Sequence, residues 1–468
     1  MFKPTTYIKR RNKLKKQLKS GIIFFPGNEE SPMNYPANTF HYRQDSSFLY
    51  FWGLDFPGLA AVLDIDNNEE IIYGYDYTVD DIVWMGPQET LAKKAKQVGV
   101  NKAEPTENLE DKIKDALCQG RKVHYLPQYR HDNIIKIEKL TGIHNSLVND
   151  FSSNELIKAV IAQRSIKSDE EIKQIETALD ISYEMNALAM KKTKADMYEK
   201  EVAGAVEGLV HSHGSMVSFP IIFTIHGEVL HGHSHENLMK DGDILVLDSG
   251  AESPLHYASD ITRTFPVSGK FTEIQKEIYN IVLAANQGAI EKMRPGISFK
   301  EVHLNAAKII TENLTQLGFM KGNPEDAVAA GAHALFFPHG LGHQLGLDVH
   351  DMEGLGENFV GYNNKVHRSD QFGLAYLRFA SALEPGLVLT VEPGIYFMPE
   401  LIEQWRSQKK HGDFINYDKV EKMIGFGGIR IEDDVLVTED GYRVLGKPIV
   451  KTVEEVEEWC AGIATEKK

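Results

Sequence analysis

Cysteine is scarce in this chain of 468 residues, which carries only Cys118 and Cys460. Two cysteines so far apart supply neither a disulfide framework nor the paired spacing of a zinc site. A reducing compartment is the simplest reading. Long apolar runs are missing too. No uninterrupted stretch reaches the roughly 20 residues that a membrane-spanning helix needs. The opening Met-Phe-Lys-Pro-Thr lacks the apolar segment of a secretory signal. The expectation is a soluble, cytoplasmic protein with no membrane partner. Positive charge is in deficit, with 51 Lys and Arg against 67 Asp and Glu and a net charge of -16. Clustered positive charge is what grips a phosphate backbone, so this balance argues against a nucleic-acid partner. There is no low-complexity segment and no strong internal repeat.

What is present is ordinary globular composition, 42% hydrophobic and 25% charged, in a chain longer than one core normally fills. The basic run Lys9 to Lys19 holds Leu14 and Leu18 at an i,i+4 spacing. It reads as one amphipathic surface helix in preference to a binding patch. Ile22 to Phe25, Ala60 to Leu63 and Val123 to Leu126 read as strands, Leu91 to Val98 and Leu109 to Leu117 as helices. Strand and helix in alternation predict an α/β N-terminal domain over 1–160. Ser168, followed by Asp169, Glu170 and Glu171, starts a helix running to about Lys192. This helix opens a second domain, 161–468, which becomes strand-rich. Asp243 to Leu247 predicts a buried strand, and Ile429 to Val437 a strand with Arg430 and Glu432 on one face. The charged segment Pro399 to Lys422 reads as an exposed insertion of unassigned role.

Four carboxylates and one histidine stand out in that second part. Asp248 lies in Leu-Val-Leu-Asp-Ser-Gly and Asp260 in Ser-Asp-Ile-Thr-Arg-Thr. His343 lies in His-Gly-Leu-Gly-His, Glu392 in Val-Glu-Pro-Gly-Ile-Tyr and Glu432 in Ile-Arg-Ile-Glu-Asp-Asp. Gly250, Ser253 and Pro254 fit a turn between two antiparallel strands that would bring Asp248 and Asp260 together. Taken alone, that pair could be two turn-capping aspartates. Four acids in one pocket would repel one another unless cations neutralised them. An oxygen-rich set with a single imidazole suits two fairly hard divalent ions, Mn²⁺ first, with Zn²⁺ or Co²⁺ as alternatives. Two such ions can bridge and deprotonate a water, the usual start of metal-assisted hydrolysis.

The five motifs, in this order, resemble the pita-bread metallopeptidases: aminopeptidase P, prolidase and methionine aminopeptidase. His339 to Asp351 and Leu389 to Tyr396 resemble the proline-specific branch. Tyr42 to Phe48 resembles the N-terminal domain of aminopeptidase P. The resemblance implies an α/β N-terminal domain followed by an α+β pita-bread (creatinase/aminopeptidase-like) catalytic domain. It implies a dinuclear-metal exopeptidase that releases the residue preceding a proline. Asp248 would chelate one ion, Asp260 and Glu432 bridge both, and His343 and Glu392 complete the other. His350 matches the histidine that holds the scissile carbonyl or its oxyanion. His339 matches one lining the proline side, and His231 a substrate-contacting histidine. Gly232 follows His231 where the family often carries tyrosine. The alternating His231, His233 and His235 could suggest zinc; His233 and His235 read instead as a polar rim loop. Arg378 matches an arginine that prolidase-like members place on the substrate carboxylate. Arg430, grouped with the substrate-binding residues, reads chiefly as orienting its neighbouring carboxylates.

The implied chemistry is attack of hydroxide on the carbonyl preceding proline, with Glu392 shuttling the proton to the leaving nitrogen. That nitrogen carries no N–H, which general peptidases need. The partners implied are peptides with an Xaa-Pro N-terminus and further copies of the chain, as a homodimer or homotetramer. An Xaa-Pro aminopeptidase is the favoured reading and an Xaa-Pro dipeptidase the alternative. The stretch Arg43 to Phe48 favours the first, and Arg378 with segment 399–422 the second. A non-catalytic binding protein on the same fold, and a metal-free creatinase-like hydrolase, are disfavoured because all five ligand positions are filled. Methionine aminopeptidase is disfavoured by the extra N-terminal domain.

Overall fold

The computed structural model describes residues 1–462; the last six of the expected second domain lie outside the described residues. The chain divides into two compact units, 1–164 with 352–359, and 165–351 with 360–468.

The first unit is built on a mixed five-stranded sheet of β1 (Ile22–Pro26), β2 (Ala60–Asp64), β3 (Glu69–Gly74), β4 (Lys102–Pro105) and β5 (Val123–His124), in the order β4-β3-β2-β1-β5. Neighbours β1 and β2 are antiparallel, β1 and β5 parallel. Every residue of β1 and β2 is buried. Both faces of the sheet are covered, which is why these strands read as unbroken apolar runs instead of alternating ones. One face packs Ile22, Phe24, Val62 and Ile71 against Leu109, Ile113, Ile137 and Leu140. On the other, Phe25 meets Phe51 and Trp52 at ring distances of 5.2 and 6.1 Å. The basic run forms helix α1 (Pro4–Leu18), with Leu14 and Leu18 buried as their spacing predicts. Its cations are not all solvated. Arg11 is fully buried, donating to Glu70 Oε2 at 2.8 Å and to the carbonyls of Phe51 and Val98 at 2.9 Å. Part of the charge run is therefore an internal clamp.

The second unit opens with α2 (Asp169–Lys192). The Ser168 N–H and hydroxyl donate to Glu171 at 3.0 and 2.8 Å, so the helix start is capped as the sequence predicts, and lysines lie in the last turn. Three small sheets follow. β6 (Ile222–Thr224), β7 (Ile244–Ser249) and β8 (Ile261–Pro266) form one, in the order β8-β7-β6. β9 (Val388–Val391), β12 (Asp433–Val437) and β13 (Tyr442–Val444) form the second, and β10 (Gly394–Tyr396) pairs with β11 (Gly428–Arg430). The expected continuous strand over 429–437 is thus broken at Ile431 and Glu432. β11 and β12 bind different partners, and the break frees the Glu432 side chain from a regular ladder. On α3 (Glu273–Lys292), the buried Asn286 donates to the carbonyls of Val391 and Ile431 at 3.0 and 3.4 Å. One amide thereby ties together the backbone beside Glu392 and Glu432.

Segment 399–422 is not an exposed insertion. It forms α4 (Pro399–Ser407), which buries Ile402 and Trp405, and continues through buried Ile415 and Val420. These four buried apolar residues anchor the segment.

Candidate active site

The hairpin is as the turn residues predict. β7 and β8 are antiparallel, with Thr262 paired to Asp248. Asp260 sits just before β8, so the strand's two-residue period puts Asp260 and Thr262 on one side, next to Asp248. His343 arrives on an extended stretch alongside β9. Thr390 N–H donates to the His343 carbonyl at 3.0 Å, and Glu392 N–H to that of Leu341 at 2.8 Å. Gly342 permits this approach, since a Cβ there would collide with the Thr390 carbonyl. Glu432 follows the break after β11, its N–H donating to Thr262 O at 3.0 Å.

These elements bring all five expected ligand residues to one cavity of about 580 Å³, which His231, His339, His350, Arg378 and Arg430 also line. His343 Nε2 is 3.4 Å from Asp260 Oδ2 and 3.9 Å from Glu392 Oε1. His343 Nδ1 lies 3.1 Å from the Gln344 carbonyl. A carbonyl only accepts, so the proton is on Nδ1 and the Nε2 lone pair faces the acids. Asp260, His343 and Glu432 are all buried and place ligand atoms within 4.8 Å of one another. Asp248 Oδ1 and Asp260 Oδ1 are buried without a hydrogen-bond partner among the described residues. Burial, and then repulsion from Asp248, pushes the Asp260 carboxyl well above its usual range. Glu432 rises for the same first reason, and then from Asp260 and Glu392. Orphaned acceptors and mutually repelling acids at one point fit a divalent cation, which would supply the missing partner and the opposing charge.

Around the acids runs a hydrogen-bonded frame. Arg430 donates to Asp248 Oδ2 at 2.7 Å, Tyr396 Oη at 2.9 Å and Thr262 Oγ1 at 3.2 Å. Thr262 Oγ1 donates in turn to Glu432 Oε2 at 2.7 Å. His339 Nδ1 donates to the Gly340 carbonyl at 2.8 Å, so its Nε2 accepts from Tyr396 Oη at 2.9 Å. Burial, then the nearby Arg430, pushes His339 down to about 3, while burial pushes Tyr396 up to about 12. Both therefore stay neutral and the chain Arg430–Tyr396–His339 keeps one direction. The His350 ring meets that of His343 edge-on at 4.3 Å. His231 is exposed at the rim with His233, while His235 is turned away, donating to the Ile221 carbonyl at 3.1 Å.

Thr262, Tyr396 and Asp434 were missed in the sequence. Asp434 Oδ2 accepts the Asp260 N–H at 3.1 Å. Thr262 lies two residues beyond Asp260, a spacing that could have flagged it, and Tyr396 ends a motif already singled out.

Residues 173–439 match metallopeptidase family M24. The chain belongs to this family. Residues 7–125 match the aminopeptidase P N-terminal domain. The architecture is the α/β domain followed by the pita-bread catalytic domain that the motifs implied, and the chain is a metal-dependent hydrolase. Among curated relatives, the human Xaa-Pro dipeptidase is 32% identical, over 94% of this chain and 89% of that protein. The Xaa-Pro aminopeptidase of Escherichia coli K12 is 33% identical over 96% of both. Solved structures of zinc-substituted E. coli aminopeptidase P with product, and of Pseudomonas aeruginosa aminopeptidase PepP, both superpose with a TM-score of 0.80. They share 29% and 28% identity and cover 99% of this chain, and 100% and 99% of their own.

Proposed function

We propose that this chain is a dinuclear-metal exopeptidase that releases the N-terminal residue from peptides with proline in second position. The observation that carries it is the convergence of Asp248, Asp260, His343, Glu392 and Glu432 on one cavity with His350 and Arg378. Those five residues hold two divalent ions, Mn²⁺ in preference to Zn²⁺ or Co²⁺. When bound, the ions supply Lewis acidity and a lowered pKa for water at the site. Glu392 accepts the proton of the attacking water and delivers it to the departing proline nitrogen. His350 donates to the oxygen of the tetrahedral adduct. His231 contacts the substrate at the rim. His339, fixed by Tyr396, borders the proline side, and Arg430 holds Asp248 in place. The enzyme acts in the cytoplasm as a homodimer or homotetramer. No described helix is long and apolar enough to cross a membrane.

A second reading, Xaa-Pro dipeptidase, is favoured by one observation: Arg378 lines the cavity, half-buried, where it can bind a carboxylate. An extended peptide carries no terminal carboxylate at the proline for that guanidinium to bind. The deciding assay uses Mn²⁺-loaded enzyme on Xaa-Pro and on Xaa-Pro-Yaa-Zaa peptides. Efficient cleavage of the longer peptides is expected, with Arg378→Ala impairing dipeptides most. Activity on dipeptides alone hands the case to the dipeptidase, and cleavage of neither removes both readings.

A further inference from the structure

The rim loop 225–237 carries His231 and His233 into the cavity wall, yet its tip is exposed at Val229, His231, His233 and Ser234. Both ends of this loop meet one carboxylate. Glu199, the first residue of the helix Glu199–Ser212, is completely buried. Its Oε1 accepts the Ile225 N–H at 2.8 Å, where the loop leaves β6. Its Oε2 accepts the Asn237 side-chain amide at 3.0 Å and the Asn237 N–H at 3.4 Å, where the loop returns. The backbone adds to the second anchor: Glu199 N–H donates to Asn237 O, and Lys200 N–H to His235 O, each at 3.0 Å. A negative charge at a helix N-terminus is favourable, and three donors compensate its burial.

We propose that Glu199 is a positioning residue for the hydrolase: by clamping both ends of the 225–237 loop it fixes where His231 meets the substrate. Only a carboxylate accepts on both oxygens at once. The amide of glutamine has the same shape but one acceptor, and it would turn an N–H₂ towards one of the two loop ends. Glu199 lies on a different element from the five acid and histidine ligands, so its loss reaches the reaction through the loop and not through the metal site. The inference rests on His231 being a substrate contact.

The test is a double-mutant cycle on the full-length, Mn²⁺-loaded enzyme with Ala-Pro and Ala-Pro-Ala-Ala. Glu199→Gln is expected to lower kcat/KM on the order of 10- to 100-fold, the scale of a misplaced contact group, with metal content unchanged. Hydrogen exchange of peptide 225–237 should quicken. In a His231→Ala background the same change should cost almost nothing further, because both act through one contact. Normal kcat/KM in Glu199→Gln, or a loss fully additive to that of His231→Ala, overturns the proposal. A silent His231→Ala does so as well. If Glu199→Gln does not fold, Asn237→Ala removes the loop-side partner and should show the same losses at smaller size; normal exchange and kinetics there also overturn it. Failure of the unmutated chain to cleave either peptide is the separate failure of the peptidase reading.

Discussion

Burial without a partner governs two histidines that do not line the cavity. His303 and His333 are fully buried, and none of their ring nitrogens has a hydrogen-bond partner among the described residues. Burial, and then for His303 the neighbouring His333, pushes them down to about 3 and about 4 from 6.5. As pH falls below about 6.5 the unfolded chain takes up these protons first, so the stability is complete above that pH and is lost progressively towards 4 and 3. At about 1.4 kcal/mol per pKa unit the loss is on the order of a few kcal/mol. Melting curves between pH 7 and pH 4 should show a steep fall for the natural chain and a shallower one for His303→Leu. Parallel slopes would mean that His303 takes up its proton in the folded state. In the active site, two substitutions should separate ligand from reaction residue. Asp260→Ala is expected to abolish turnover and lower bound metal. His350→Ala should keep metal and lose about 100- to 1000-fold in turnover; near-normal turnover there would remove its assigned role. The convergence of the four acids and His343 on one cavity was legible because each stands in a compact motif whose chemistry is unusual. The frame of Thr262, Tyr396 and Asp434 was not, because a threonine, a tyrosine or a further aspartate near a strand has many ordinary uses. Only the fold decides which of them meets an acid.

Elements were legible where a local rule sufficed. The α2 start at Ser168, the β7–β8 hairpin and the buried β1 and β2 all follow from caps, turns or apolar runs. The reading failed where pairing partners decide. Over 429–437 the composition is strand-like throughout, but β11 pairs with β10 and β12 with β9, and one chain cannot serve both without a break. Segment 399–422 misled through its charge. Helix α4 buries Trp405, which is 2% exposed and packs edge-on against Phe372 at 5.8 Å. Phe372 lines the cavity, as do Leu401 on the same segment and Met398 just before it. Trp405→Ala should therefore destabilise the chain by about 3–5 kcal/mol and raise KM through a loosened Phe372, with metal content intact. Denaturant titration and steady-state kinetics read both effects. A midpoint unchanged by the substitution would return the segment to the status of a surface insertion.

At the scale of the whole molecule, the first unit exposes several large apolar side chains on one short helix. The helix Val79–Met85 buries none of its residues; Trp84 is 86% exposed, Val79 77%, Val83 73% and Met85 61%. It is well formed locally, with Thr78 N–H donating to Asp81 Oδ2 at 2.8 Å and Asp81 N–H to Thr78 Oγ1 at 3.2 Å. So short a helix gains little from its own hydrogen bonds, and most helix stability comes from burying an apolar face. Burying each of the larger side chains is worth about 1.5–3 kcal/mol. Large apolar side chains exposed together on one helix are what an interaction surface offers a partner. With a homodimer or homotetramer expected, a second copy of the chain is the occupant to test. Light scattering at micromolar concentration should give a multiple of the 52.6 kDa chain mass, and Trp84→Ser should shift the population towards one chain. A single species at 52.6 kDa in the unmodified protein would remove the oligomer and leave Trp84 facing water.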